Sequence, residues 1–275
     1  MKAPMNTPPP ATGVRRARLE RVTAGDGAPA SDWLAVEEPL EIRVGDQPPL
    51  VTLRTPGEDA ELVRGLLLGE GVIDRADDIA RMDLEPGRAR VLLRAAVRGR
   101  AERLLRGTLR TSACGYCGSL QPLRDLPPPL ARIRDKPVID AALLPALPGR
   151  LRAAQPAFLS SGGLHAAALF DGDGGLLAVR EDVGRHNALD KLLGWALGEQ
   201  RLPLHDHLLL LSGRAGFELV QKALRAAVPV LCAVSAPSTL AVEAAQRHGM
   251  TLVGFLREGR YNLYAGGRHL SAGQR

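Results

Sequence analysis

Cys114-Gly115-Tyr116-Cys117-Gly118 sets two thiols three residues apart. Soft nucleophiles at this spacing serve metal ligation, dithiol exchange or the transfer of sulfur itself. A structural zinc needs two further ligands. The rest of the chain offers only Cys232 and six scattered histidines (165, 186, 205, 207, 248 and 269), with no second CxxC and no His-x3-His. A zinc deaminase needs His-x-Glu ahead of its cysteine pair. The nearest candidate, His165-Ala166-Ala167, lacks the Glu and follows the pair. A thioredoxin-like dithiol would begin a helix, whereas Gly115 and Gly118 favour a loop. A loop thiolate can take the terminal sulfur of another protein's persulfide by the displacement that drives thiol–disulfide exchange, and a second thiol can help release it. The cysteines alone do not name the acceptor, and a zinc-binding or dithiol redox module stays open beside sulfur transfer.

A second constellation lies downstream. Arg180-Glu181-Asp182-Val183-Gly184-Arg185-His186-Asn187, Ser212-Gly213-Arg214-Ala215-Gly216, Ser235-Ala236-Pro237-Ser238-Thr239 and Phe255-Leu256-Arg257-Glu258-Gly259-Arg260 each follow a strand-like run. Ligands of α/β sheets bind outside the carboxyl ends of strands, where helix N-termini present free N–H groups. Glycine allows close backbone approach, serine and threonine bring hydroxyls, and Arg185, Arg214, Arg257 and Arg260 bring charge, so the four loops together suit phosphate. Structural readings compete at each loop. Asp182 can cap its helix, His186 and Asp190 can pair four residues apart, and Ser235 or Ser238 can cap the next helix. His165 and His248 read as structural, His205-Asp206-His207 as a polar turn, and no metal site is assigned.

The elements that must hold these residues follow from pattern. The chain has 275 residues, enough for one large or two ordinary domains, and a formal charge of 36 − 30 = +6. With 45% hydrophobic and 24% charged residues it reads as globular. All but four of its 36 cations are arginine, which permits an anionic partner. Two Trp, three Tyr and four Phe, without a nucleic-acid-binding motif, argue against DNA or RNA. No apolar run approaches the ~20 residues of a membrane helix, and no secretory signal opens the chain, so a cytoplasmic location is expected. Residues 1–30, rich in Pro, Ala and Gly, read as a flexible tail. Residues 31–150 read as a small α+β domain carrying the CxxC loop. In it WLAVEE, LEIRVGD, LVTLRTPG and ARVLLRAAV are strands, and 58–69 is an amphipathic helix. Seven prolines between 123 and 157 mark the junction. Residues 151–267 alternate strands (164–170, 176–180, 207–211, 230–234, 251–256, 261–264) with helices (187–197, 217–227, 239–248), a three-layer α/β domain. Residues 268–275 form a second tail.

Taken in order, VEEPLEIRV, TLRTPG, TSACGYCG, SGGLHAAALF, EDVGRHNALDKLLG, SGRAGFELVQKA, VSAPSTLAVEAA and TLVGFLREGRYNLY closely resemble the FdhD family of formate dehydrogenase accessory sulfurtransferases over about residues 33–265. The resemblance implies that a cysteine desulfurase loads persulfide sulfur onto Cys114, with Cys117 as accessory thiol. The sulfur then passes to the molybdenum of the bis-molybdopterin guanine dinucleotide cofactor (Mo-bisMGD) destined for formate dehydrogenase. It also implies a cytidine deaminase-like C-terminal domain without the deaminase zinc set. The cofactor site falls on Phe255, Leu256, Arg257, Glu258, Gly259 and Arg260, joined by Ser212, Gly213, Arg214, Ser235 and His186 from the neighbouring loops, with GDP as an expected mimic. Monomer and homodimer both stay open. The chain departs from the pattern at Ala113 and Gly216, where Ser is common, at Tyr116, where a small residue is common, and in the order of Ser238-Thr239.

Overall fold

The computed structural model describes residues 12–107, 126–136 and 138–271. Two ten-residue strands come first, β1 (Val14–Thr23) and β2 (Asp26–Ala35), paired antiparallel from Val14↔Ala35 to Thr23↔Asp26. This corrects the expected tail over its described part, residues 12–30. Ala24 and Gly25 both take positive φ (52° and 98°), the backbone of a tight two-residue hairpin turn. The ribbon keeps both faces largely in solvent, so no alternation of apolar residues betrays it in the sequence.

β3 (Glu38–Val44), β4 (Leu50–Arg54), β5 (Ile79–Glu85) and β6 (Arg88–Leu93) form a sheet in the order β4-β3-β6-β5. Between β4 and β5 runs α1 (Asp59–Gly69), close to the expected 58–69, with Leu62, Val63, Leu66, Leu67 and Leu68 all buried. Asp59 and Glu61 occupy its first turn, where the helix dipole favours acids. A 3₁₀ segment, Ala95–Gly107, follows β6.

The proline-rich junction is more structured than its composition suggests. It holds β7 (Ile139–Asp140), a 3₁₀ turn (Ala141–Ala146), α2 (Leu147–Ala153) and α3 (Pro156–Ser161). Pro148 and Pro156 sit in the first turns of α2 and α3, where a missing N–H costs nothing. The expected domain start at 151 therefore falls inside a helix.

Next come β8 (His165–Phe170), β9 (Leu176–Asp182), α4 (Arg185–Gly198), β10 (Leu208–Leu211), α5 (Phe217–Arg225), β11 (Val230–Ala233), α6 (Thr239–His248), β12 (Thr251–Arg257), β13 (Arg260–Ala265) and β14 (Leu270–Ser271). Six of these strands make one mixed sheet, β13-β12-β11-β10-β8-β9. Alternate residues serve opposite layers, as strand geometry demands. Ala167, Leu169, Leu209, Leu211, Leu231 and Leu252 share a core with residues of α4, α5 and α6, whereas Ala168, Phe170, Leu208, Leu210, Val230 and Cys232 pack with Leu144, Leu147 and Leu151. The layered α/β reading thus holds. The C-terminal tail is corrected over its described part. β14 pairs with β7, and His269 is fully buried, its Nδ1 2.8 Å from Thr251 Oγ1 and its Nε2 3.0 Å from the Arg134 carbonyl. Among the described residues no helix is long and apolar enough to cross a membrane.

Candidate functional site

β10, β11 and β12 are mutually parallel, and β9 is antiparallel to β8, itself antiparallel to β10. The carboxyl ends of β9, β10, β11 and β12 therefore meet at one sheet edge, where the sequence placed its four loops. Backbone bonds stitch neighbouring loops together. Ser212 N–H donates to the Ala166 carbonyl at 2.9 Å while its Oγ accepts from Ala166 N–H at 2.8 Å. Ser235 N–H donates to the Gly213 carbonyl at 3.3 Å, and Phe255 N–H to the Ser235 carbonyl at 3.2 Å. Ser238, not Ser235, caps α6, accepting from Ala241 N–H at 3.3 Å.

The β12–β13 hairpin carries the most unusual backbone of the site. Its register shifts between Gly254 and Arg257, and Phe255 at this irregularity has φ +50° and a side chain 40% exposed. A bulky residue held left-handed costs free energy that the surroundings must supply, a pattern concentrated at binding sites. Gly259, at φ +79°, turns the chain between the paired Arg257 and Arg260, and Arg257 Nη1 donates to the Val234 carbonyl at 2.8 Å.

A cleft of about 580 Å³ opens here, with Ser212, Val234, Leu256, Arg257 and Glu258 on one wall. Arg152, Gln155 and Phe158, from α2 and the start of α3, form the other. These three were missed in the sequence; the prolines that start α2 and α3 were the available signal. Glu181 fixes that wall, accepting from Ala157 N–H at 3.0 Å and Phe158 N–H at 2.8 Å. Burial raises the Glu181 carboxyl above its ordinary range although both bonds oppose this. Phe255, Gly259 and Arg260 continue the hairpin beyond the cleft lining, while Gly213, Arg214 and Ser235 stand in adjoining loops and His186 in the first turn of α4. His165, assigned no chemistry from sequence, lies against Gly213. Burial pushes its imidazole below the ordinary value, the charges of Arg185 and Arg214 add to this, and Asp182 opposes them.

The EDVGRHNALDK segment rivets the two halves together. Asp182, fully buried, accepts from Thr55 N–H (3.1 Å), Gly184 N–H (2.8 Å) and Asn187 Nδ2 (3.1 Å), and lies 2.9 Å from Lys191 Nζ. Asn187 Nδ2 also donates to the Leu53 carbonyl at 2.7 Å, and Lys191 to the Thr55 carbonyl at 2.9 Å. His186 and Asp190 have partners other than each other: His186 Nε2 is 3.1 Å from Glu218 Oε2, and Asp190 pairs with Lys222.

Cys114 and Cys117 lie outside the described residues. On the two sides of that segment Leu104, Leu126 and Leu130 pack on the core. Cys232 is fully buried, and burial pushes its thiol far above the ordinary range, so it is no nucleophile. Among the described residues no three His, Cys, Asp or Glu side chains gather to hold a metal ion.

Comparison with known proteins gives a consistent result. The chain is 49% identical over 262 residues to a Mycolicibacterium paratuberculosis protein named sulfur carrier protein FdhD, covering 90% of this chain and 96% of the relative. A Nocardia farcinica protein of the same name is 47% identical, covering 94% and 97%. A crystal structure from Desulfotalea psychrophila, of a protein provisionally named a formate dehydrogenase accessory protein, superimposes with a TM-score of 0.73 at 22% identity. It covers 94% of this chain and 99% of that one, so the fold is shared. The model of the FdhD/NarQ family matches residues 35–271, and the chain belongs to that family.

Proposed function

We propose that this protein is a cytoplasmic sulfur carrier that accepts persulfide sulfur on Cys114 and delivers it to the molybdenum of Mo-bisMGD for formate dehydrogenase. The observation that carries this reading is near-50% identity along nine-tenths of the chain to proteins named sulfur carriers. The Cys114 thiolate attacks the terminal sulfur of a cysteine desulfurase persulfide; the donor S–S bond breaks, the donor leaves as thiolate, and Cys114 becomes a persulfide. The Cys117 thiolate then attacks the Cys114 sulfur. A Cys114–Cys117 disulfide forms and hydrosulfide departs to the metal, and a dithiol reductant restores the pair. The strand-end cleft suits an anionic nucleotide cargo, since Arg152 and Arg257 line it and bidentate arginine contacts favour phosphate.

Incubation with a cysteine desulfurase and cysteine should add one sulfur atom, mapped by mass spectrometry to Cys114 and absent in Cys114→Ala. Full labelling of that variant refutes the assignment. Calorimetry should detect GDP binding, weakened about tenfold or more by Arg257→Ala or Arg260→Ala; heat unchanged by both removes the cargo site from this edge.

A further inference from the structure

Where this fold encloses an arginine it supplies a counter-charge or a carbonyl. Arg54, Arg180 and Arg225 hold Asp59, Glu61 and Asp74. A larger cleft, about 750 Å³, opens beyond the other end of α4, and of the arginines at its rim Arg100 pairs with Asp74 at 2.7 Å while Arg103 donates to the Gly71 carbonyl. The strand-end edge breaks this pattern. Arg185, the first residue of α4, is half-buried, and its Nε is enclosed with no hydrogen-bond partner among the described residues. Arg214, exposed on the neighbouring loop, has no ion-pair partner among them either. The carboxylates at hand are spent. Asp182 is taken by Lys191, Asn187 and the N–H groups of Thr55 and Gly184, and Glu218 faces His186 at 3.1 Å. Two guanidiniums are thus left with charge that the described chain does not answer.

His165 completes the cluster. It opens β8, half-buried, and a Cβ on Gly213 would stand 3.3 Å from its Nδ1. Gly213 joins Arg214 to Ser212, which lines the strand-end cleft, so the cluster continues that cleft sideways. The charges acting on the ring are Arg185 from α4, Arg214 from the loop after β10 and Asp182 from the end of β9. Burial first and the two arginines next disfavour the imidazolium, and Asp182 only partly offsets them. A phosphate between the guanidiniums reverses that balance, because it answers both cationic forks and sets negative charge beside the ring. Resting on the reading of this edge as the cargo site, we propose that Arg185, Arg214 and His165 form a phosphate subsite separate from Arg152 and Arg257, where His165 takes a proton from solvent as the diphosphate of a nucleotide enters. No covalent bond forms or breaks. The ring gains a second N–H donor, and the added positive charge stays only while the anion does.

Calorimetry of GDP binding to the full-length protein tests both parts. The double variant Arg185→Gln/Arg214→Gln should weaken GDP about tenfold or more. An Arg43→Gln/Arg90→Gln control, on the exposed face of the β4-β3-β6-β5 sheet, removes the same charge and should bind as the wild type does. Titrating wild type and His165→Asn in buffers of different ionisation heat counts the protons exchanged, and the difference between the two cancels any proton the nucleotide itself gains or loses. That difference should be an uptake of roughly half a proton or more near pH 7, and the affinity of wild type relative to His165→Asn should rise about fivefold from pH 8 to pH 6. A merely structural His165 would lower affinity alike at every pH, and the proton count in the wild type needs only one variant that folds, His165→Asn or His165→Gln. GDP affinity unchanged by the arginine double variant, equal weakening by the control, or the same proton count and pH profile with and without His165 each overturns the subsite, while the cargo reading stands as long as Arg257→Ala still weakens GDP. A wild type that binds no GDP overturns the cargo reading, and the subsite with it.

Discussion

Lys191 has no exposed surface, and its ammonium reaches Asp182 from α4 at 2.9 Å and the Thr55 carbonyl at the same distance. A pair this deep is a poor net source of stability but is costly to break, because one partner stays buried and charged. Lys191→Met should therefore destabilise by about 3–5 kcal/mol, read from denaturant midpoints, and adding Asp182→Asn should recover part of the loss. Asp182 keeps three N–H donors after the lysine is gone, which favours the lower end of that range. The residues of this knot were legible in the sequence as a motif, but their partners were not. Thr55 and Leu53 lie more than a hundred positions upstream, and the spacing of His186 and Asp190 suggested an i,i+4 pair that the fold replaces with Glu218 and Lys222 from α5.

Helices α1 and α4 cross at glycines. A Cβ on Gly194 would stand 1.8 Å from the Glu61 carbonyl oxygen, and one on Gly65 equally close to that of Asp190. Both obstacles are backbone, so Gly194→Ala must push the helices apart. The expected loss is about 3 kcal/mol or more, checked by thermal unfolding, since overpacking a tight core costs 1–3 kcal/mol even where side chains can yield. The elements the sequence revealed are those with one buried face, such as α1 with its leucine stripe and the short apolar strands β10 and β11. Those it hid lack that contrast. The β1–β2 ribbon is wet on both faces, and α2 and α3 begin with prolines that look like breakers when the frame of the helix is unknown. Half of the strand-end cleft was hidden with them.

At the scale of the whole molecule, one hydrophobic cluster runs from Leu40 and Val91 of the first sheet through α1 and α4 to Leu209 and Leu252 of the second. Unfolding should be a single cooperative transition, and its pH dependence follows from the histidines. Burial holds His165, His205, His207, His248 and His269 below the ordinary imidazole value. The unfolded chain binds those protons first. The stability these groups contribute is present above about pH 6.5 and is lost as the pH falls through that value toward their folded ones. Glu181, raised by burial, contributes in the opposite sense, as one group against five. The denaturant midpoint should therefore fall from pH 7.5 to about pH 5.5; a flat or rising midpoint contradicts the assignment.

Helix α4, 14 residues and about 20 Å long, has its first turn at the strand-end edge and its last beside the arginine-rimmed cleft. The two clefts thus lie a full helix length apart, so filling one leaves the mouth of the other clear.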